Sequence, residues 1–176
     1  MSIGHFLVLF CLLIQSGQIL ADTIEGRVVG VSDGDTVTVL DGSKSQHKIR
    51  LAGIDAPESK QAFGNVAKKR MADMVFGKEV RVDYRKTDKY GRTIGCIWVA
   101  SAECQGSDCP KTLDAGKTLL TMGLAWHYKQ YANEQPKEER EQYSFAEFEA
   151  RVKKVGLWID AEPVPPWDWR KAKREK

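Results

Sequence analysis

Residues 49–58 read Ile-Arg-Leu-Ala-Gly-Ile-Asp-Ala-Pro-Glu, an arginine in an apolar stretch followed closely by two carboxylates. Side chains alternate along a strand, so Ile49 and Leu51 share one face and Arg50 takes the other. Pro57 ends the strand and holds Ala56 extended. Asp55 and Glu58 then flank a stiff corner on the side open to Arg50. One cation and two anions at a strand end suit a metal ion and a phosphate group. Asp33-Gly34-Asp35 adds a carboxylate at a tight turn, and Asp88-Lys89-Tyr90-Gly91-Arg92 adds an arginine after another turn. Taken singly, each segment is more often a polar turn or a surface ion-pair partner than a site.

Taken together, the segments suggest phosphoester chemistry. Asp35 and Asp55 are hard oxygen donors, better matched to calcium or magnesium than to a softer metal. Two carboxylates with a backbone carbonyl and waters would make a weak site, in the range of roughly 10⁻⁴ to 10⁻³ M typical of extracellular calcium modules. Arg50 and Arg92 would clamp phosphate, because a guanidinium matches its oxygens in a two-pronged way that an ammonium cannot. Glu58 would take a proton from the attacking water, a contribution of about 10²- to 10⁴-fold. The slowest phosphate-ester hydrolyses need about 20 kcal/mol of acceleration or more, so the metal and both arginines must supply much of the rest. The expectation is that folding gathers Asp35, Arg50, Asp55, Glu58 and Arg92 into one pocket.

Short strands must position these groups. Residues 24–31, 36–40 and 47–52 read as strands, joined by the Asp33-Gly34-Asp35 turn and by Asp41-Gly42, a hairpin signal. A helix follows over 65–76, with apolar Ala67, Met71, Met74 and Val75 at helical spacing, Asn65 placed to cap and Gly77 to end it. Val80, Val82 and Tyr84 alternate with Arg81, Asp83 and Arg85 in a fourth strand, and 93–99 returns as a fifth. Five strands interrupted by one helix after the third predict an α+β chain built on a small Greek-key barrel of the OB type. Further helices are expected over 111–122 and from Pro136 to about 155, three in all. Pro163, Pro165 and Pro166 are expected to forbid regular structure, leaving 161–176 as a basic tail docked by Trp167 and Trp169 and frayed from Arg170 onward.

The chain has 176 residues, 42% hydrophobic and 29% charged, which suits one soluble domain with a real core. A net charge of +3 permits a polyanionic partner without demonstrating one. Residues 1–21 carry no Lys, Arg, Asp or Glu, and 6–14 is an unbroken apolar run too short to span a bilayer. This segment reads as a signal peptide, with a retained anchor as the alternative, although no Lys or Arg stands near Met1. Residues 22–160 would then form the exported domain, with no stable membrane partner and expected as a monomer. Export permits disulfides. Cys104 and Cys109 bracket a turn and could close a short ring, whereas Cys96 alternates with Ile94 and Trp98 and reads as a buried free thiol. No Cys/His spacing suggests zinc.

The set Asp33-Gly34-Asp35-Thr36, Arg50-Leu51 with Ile54-Asp55-Ala56-Pro57-Glu58, and Asp88-Lys89-Tyr90-Gly91-Arg92 resembles the staphylococcal (micrococcal) nuclease family, in that family's order and with similar spacing. Three separated motifs in agreement are far more specific than any one. The resemblance covers about residues 26–156 and implies a calcium-dependent phosphodiesterase on an OB barrel, cutting DNA and RNA to 3′-phosphate and 5′-hydroxyl ends. It implies Arg50, Glu58 and Arg92 as catalytic residues and Asp35, Asp55 and the Ala56 carbonyl as calcium ligands. Lys89 and Tyr90 match positions that touch a terminal phosphate. Tyr128 or Tyr131 could stack on a base, with core packing as the alternative for either. The segment between Glu58 and the first helix is short for the family, and the insertion between Cys104 and Cys109 is unlike the staphylococcal enzyme. Two other classes remain open at this point: a non-catalytic OB module that binds nucleic acid, and an exported structural domain whose charged turns only stabilise it.

Overall fold

The computed structural model describes residues 22–104 and 108–175; the expected signal peptide lies outside the described residues. Strands β1 (Asp22–Val31), β2 (Thr36–Asp41) and β3 (Gln46–Leu51) form an antiparallel meander. A two-residue strand β4 (Ile54–Asp55) follows, then helix α1 (Gly64–Val75). β5 (Glu79–Thr87) returns beside β1, and β6 (Thr93–Ala100) pairs with β5 on one side and, in parallel, with β3 on the other. That β3–β6 pairing closes the five-stranded OB barrel expected from the strand pattern.

The barrel closes because one face of every long strand is apolar. Val28, Val37, Val39, Ile49, Leu51, Val80, Val82, Ile97 and Val99 fill it, with Ala67, Met71 and Val75 of α1 plugging one opening. The bulge between Val28 and Gly30 and that between Tyr84 and Lys86 add the local twist that curls a flat sheet. α1 begins where expected, but not with an Asn65 cap. Its N-cap is Phe63 in a left-handed conformation, with no side-chain cap bond. A side chain at Gly64 would collide with the Glu58 carbonyl, so the short 58–64 connection folds tightly only around glycine.

The helix expected over 111–122 divides in two. β7 (Lys111–Asp114) adds an edge strand to β6, and α2 (Ala115–Thr121) starts only after it. Asp114 sets the boundary: its carboxylate caps α2 by accepting the Lys117 N–H at 3.0 Å. β8 (Trp126–His127) pairs with β4, a 3₁₀ turn spans Lys129–Glu134, and α3 (Lys137–Val152) packs on α2. Trp126, Ala150, Leu157 and Trp158 make a second, smaller core behind β8.

The expectation of a tail without regular structure fails over Pro166–Arg174, which form α4. Proline breaks a helix interior but suits the first helical position, where no N–H is needed and φ is already set. Pro166 stands at that position and is buried. Cys104 and Cys109 are joined, and Cys96 is buried and free. Among the described residues no helix is long and apolar enough to cross a membrane.

Candidate active site

The Asp33-Gly34-Asp35 turn leads directly into β2. The Asp35 N–H donates to Asp33 Oδ1 at 3.0 Å, and the Leu51 N–H donates to the Asp35 carbonyl at 2.8 Å. This locks the start of β2 to the end of β3, where Thr36 faces Arg50 across the ladder. Gly34 lets the turn approach α1, because a side chain there would press on Ala56 Cβ at 2.7 Å and Ala67 Cβ at 2.8 Å. Ile49 and Leu51 point into the core as the alternation requires, so Arg50 emerges on the other face.

Arg50 is the hub. Nη1 donates to the carbonyls of Leu51 and Ile54, both at 2.9 Å, which fixes the guanidinium against the 52–53 turn. Nε lies 3.2 Å from Asp35 Oδ1, and Nη2 donates to Asp55 Oδ1 at 2.9 Å. Asp35 Oδ2 accepts the Ala56 N–H at 2.6 Å, so the corner before Pro57 is tied to the β2 turn. Glu58 follows that corner. Its N–H donates to Gln61 Oε1 at 3.1 Å, and its carboxylate faces Asp55 across an arginine from α4. Arg170 Nη1 donates to Asp55 Oδ1 at 3.2 Å and to Glu58 Oε1 at 2.9 Å, while Nη2 donates to Asp55 Oδ2 at 2.7 Å.

Four of the five expected residues therefore meet: Asp35, Arg50 and Asp55 directly, and Glu58 through Arg170. Arg92 stands immediately before β6, whose Thr93 pairs with Ile49 of β3, so it borders the same strand end. Its guanidinium is held by its own turn, with Nε 2.8 Å and Nη2 2.7 Å from Asp88 Oδ2. It makes no hydrogen bond or ion pair to the other four among the described contacts. Lys89 and Arg92 both lie over the Tyr90 ring, which is 71% exposed and free to meet a ligand. Tyr128 stacks on Trp167 with centroids 5.5 Å apart, and Tyr131 meets it edge-on at 5.1 Å. Tyr128 thus borders the site, and its hydroxyl is pushed up in pKa by burial and by the nearby Asp55 charge.

Three carboxylates face two guanidiniums here, so the cluster carries an excess negative charge. The strain falls on Asp35. Burial pushes its carboxyl up to about 7, against the pull of Arg50 and the Ala56 N–H, with Asp33 and Asp55 adding to the rise. A buried carboxylate short of positive charge, beside a second carboxylate and with only oxygen donors at hand, fits a hard divalent cation. Among the described residues, no group of three or more His, Cys, Asp and Glu is placed to hold a metal ion. The fit therefore rests on two carboxylates and backbone oxygen.

Arg170 is the site residue that the sequence did not expose. Fraying expected from Arg170 onward puts this side chain in solvent. The available signal was Pro166 as a helix start, which sets Trp167 and Arg170 three apart on one helix face.

The family model described as staphylococcal nuclease homologue matches residues 48–160. A "Micrococcal nuclease" of Shigella flexneri is 39% identical over 162 residues, covering 92% of this chain and 88% of that protein. An "Uncharacterized endonuclease" of Escherichia coli is 41% identical over 162 residues, covering 92% of this chain and 95% of the relative. The "Staphylococcal-like nuclease CAN1" of Arabidopsis thaliana is 40% identical over 127 residues, 72% of this chain but 34% of the plant protein.

Proposed function

The chain belongs to the staphylococcal nuclease homologues, and from that premise we propose an exported, calcium-dependent endonuclease that cuts DNA and RNA to 3′-phosphate and 5′-hydroxyl ends. It is a nuclease, and its substrates are nucleic acids. The observation that carries the finer reading is the shared cluster: Arg50 bridges Asp35 and Asp55, with Glu58 at the open side. Export is proposed from the apolar 6–14 run, with the Cys104–Cys109 disulfide in support, since such bonds persist in oxidising surroundings.

In this reading Asp35, Asp55 and the Ala56 carbonyl would hold calcium, which would supply Lewis-acid polarisation of a phosphoryl oxygen. Glu58 accepts a proton from the water that attacks phosphorus. The bond from phosphorus to the 5′ oxygen breaks, and that oxygen takes up a proton from solvent. Arg50 donates to the non-bridging oxygens as their charge grows, from a guanidinium already fixed by two carbonyls and two carboxylates. Such fixed donors need no reorganisation at the moment of reaction. Arg92 exchanges its Asp88 partner for the phosphate, Lys89 and Tyr90 meet a terminal phosphate, and Tyr128 contacts a base. Every charged contact goes to phosphate or metal, so little base readout is expected and binding weakens as salt rises.

Digestion of plasmid and RNA by the wild type and by Glu58→Gln, in calcium and in chelator, tests this. Chelator should stop cutting, and the substitution should slow it by about 10²- to 10⁴-fold. Cutting indifferent to both would defeat the mechanism; tight binding without product in calcium would favour a non-catalytic OB module.

A further inference from the structure

α4 carries a guanidinium into the acidic corner, and that contact goes beyond the roles proposed above for Glu58 and Asp55. We propose that Arg170 is the positioning residue for Glu58, clamping one oxygen of the general base to the rigid Asp55 and leaving the other oxygen free to take the proton. This rests on the nuclease reading.

The need for a clamp follows from how Glu58 is held. Its side chain is 40% exposed, and its backbone is fixed through Gln61, but among the described residues Arg170 is the only side chain that bonds its carboxylate. A half-exposed glutamate without that bond would sample several rotamers, most of them out of line with an attacking water. Asp55 is a firm anchor: it is 1% exposed and already gripped by Arg50. The Arg170 fork spans the two carboxylates, with Nη1 shared between Asp55 Oδ1 and Glu58 Oε1 and Nη2 on Asp55 Oδ2. Only Oε1 of Glu58 is used, so Oε2 is left for water.

Arg170 is itself held in place. Trp167, one turn earlier on α4, stacks on Tyr128 and meets Trp126 edge-on at 5.6 Å. Gln61 Nε2 donates to the Val164 carbonyl just before α4. Backbone and carboxylate of Glu58 are thus both tied to the same C-terminal segment, the first through Gln61 and the second through Arg170. Lysine at position 170 would lack the fork needed to span both acids.

The test compares wild type, Arg170→Ala, Arg170→Lys, Glu58→Gln and Arg170→Ala/Glu58→Gln in the full chain. Steady-state cleavage of a single-stranded oligonucleotide, calcium affinity by calorimetry and melting curves are read for each. At saturating calcium Arg170→Ala should lower kcat by about 10- to 100-fold, with KM within about twofold, and calcium should bind more tightly, because a guanidinium has left both oxygens of Asp55. Arg170→Lys should recover only part of the loss. Low-millimolar guanidinium should restore part of kcat to Arg170→Ala and none to the wild type, and adding Arg170→Ala to Glu58→Gln should cost nothing further. An unchanged kcat would overturn the proposal, as would a loss confined to KM. So would a loss repaired by saturating calcium, or a gain in kcat with tighter calcium binding, which would make Arg170 a plug. Cleavage indifferent to Glu58→Gln would remove Glu58 as the base, and the proposal with it, while leaving the protein a nuclease.

Discussion

Asp35 and Asp114 are equally buried, each 5% exposed, and burial pushes both carboxyls upward. Their surroundings differ. Asp114 Oδ1 accepts the Lys117 N–H, and Oδ2 accepts the Tyr143 hydroxyl at 2.9 Å. Both partners are neutral and fixed, and the carboxylate has a complete task as a helix cap. Asp35 accepts the Thr36 hydroxyl and the Ala56 N–H, but it also lies against Arg50 with Asp33 and Asp55 close by. Its charge is not balanced by the residues around it. Burial and a raised pKa are common to both acids; what separates them is the Arg50 ion pair and the second carboxylate beside Asp35.

Asp35→Asn should widen that contrast most. It removes a proposed calcium carboxylate, and metal-ion stabilisation is worth several kcal/mol, so cleavage should fall by about 100-fold or more. In chelator the effect on stability reverses. A carboxyl with a folded pKa raised above its unfolded value binds protons better in the native state, so it favours folding at low pH. That advantage is lost as pH rises from about 4 through about 7. Chelated wild type should lose stability relative to Asp35→Asn across that window, as measured by urea denaturation at stepped pH. Added calcium should raise the melting temperature of the wild type and not of the variant. A variant that kept the calcium response would move the metal away from Asp35.

Tyr143→Phe tests the other pole. It leaves Asp114 Oδ2 buried without its donor, at a cost of about 1–3 kcal/mol. Urea denaturation should show that loss, whereas kcat, KM and the calcium-induced shift should match the wild type. A changed calcium response would couple the two regions and erase the distinction.

The same division governs what the sequence disclosed. Alternation along β2, β3, β5 and β6 and the tight turns between them are local signals, and they lead to the barrel and to Arg50 facing away from the core. Asp35, Asp55 and Glu58 stand at turns adjoining those strands, so their meeting follows from the strand order. Contacts that cross the chain were not legible. Arg170 lies 115 residues from Asp55 and 112 from Glu58, and no local pattern couples them. Lys111–Asp114 falls within the helix expected over 111–122, and pairing with β6 makes it a strand instead. Pro165 and Pro166 look like breakers in the sequence, yet the second of them starts α4.

Asp114→Asn is expected to have the smallest effect and makes the closest comparison, since Asp35→Asn is the same change at an equally buried acid. The amide oxygen still accepts the Lys117 N–H and preserves the cap, because Asn and Asp are about equal in that position. The amide nitrogen then faces Tyr143, and that hydroxyl can turn to accept instead of donating. No buried charge remains to desolvate, which offsets the weaker hydrogen bond. Stability at neutral pH should stay within about 1 kcal/mol of the wild type, and cleavage within about twofold. If instead cleavage fell as far as it does in Asp35→Asn, a charge at position 114 would be acting on the site through the core, and the two carboxylates would no longer divide into one that the fold completes and one that it leaves open.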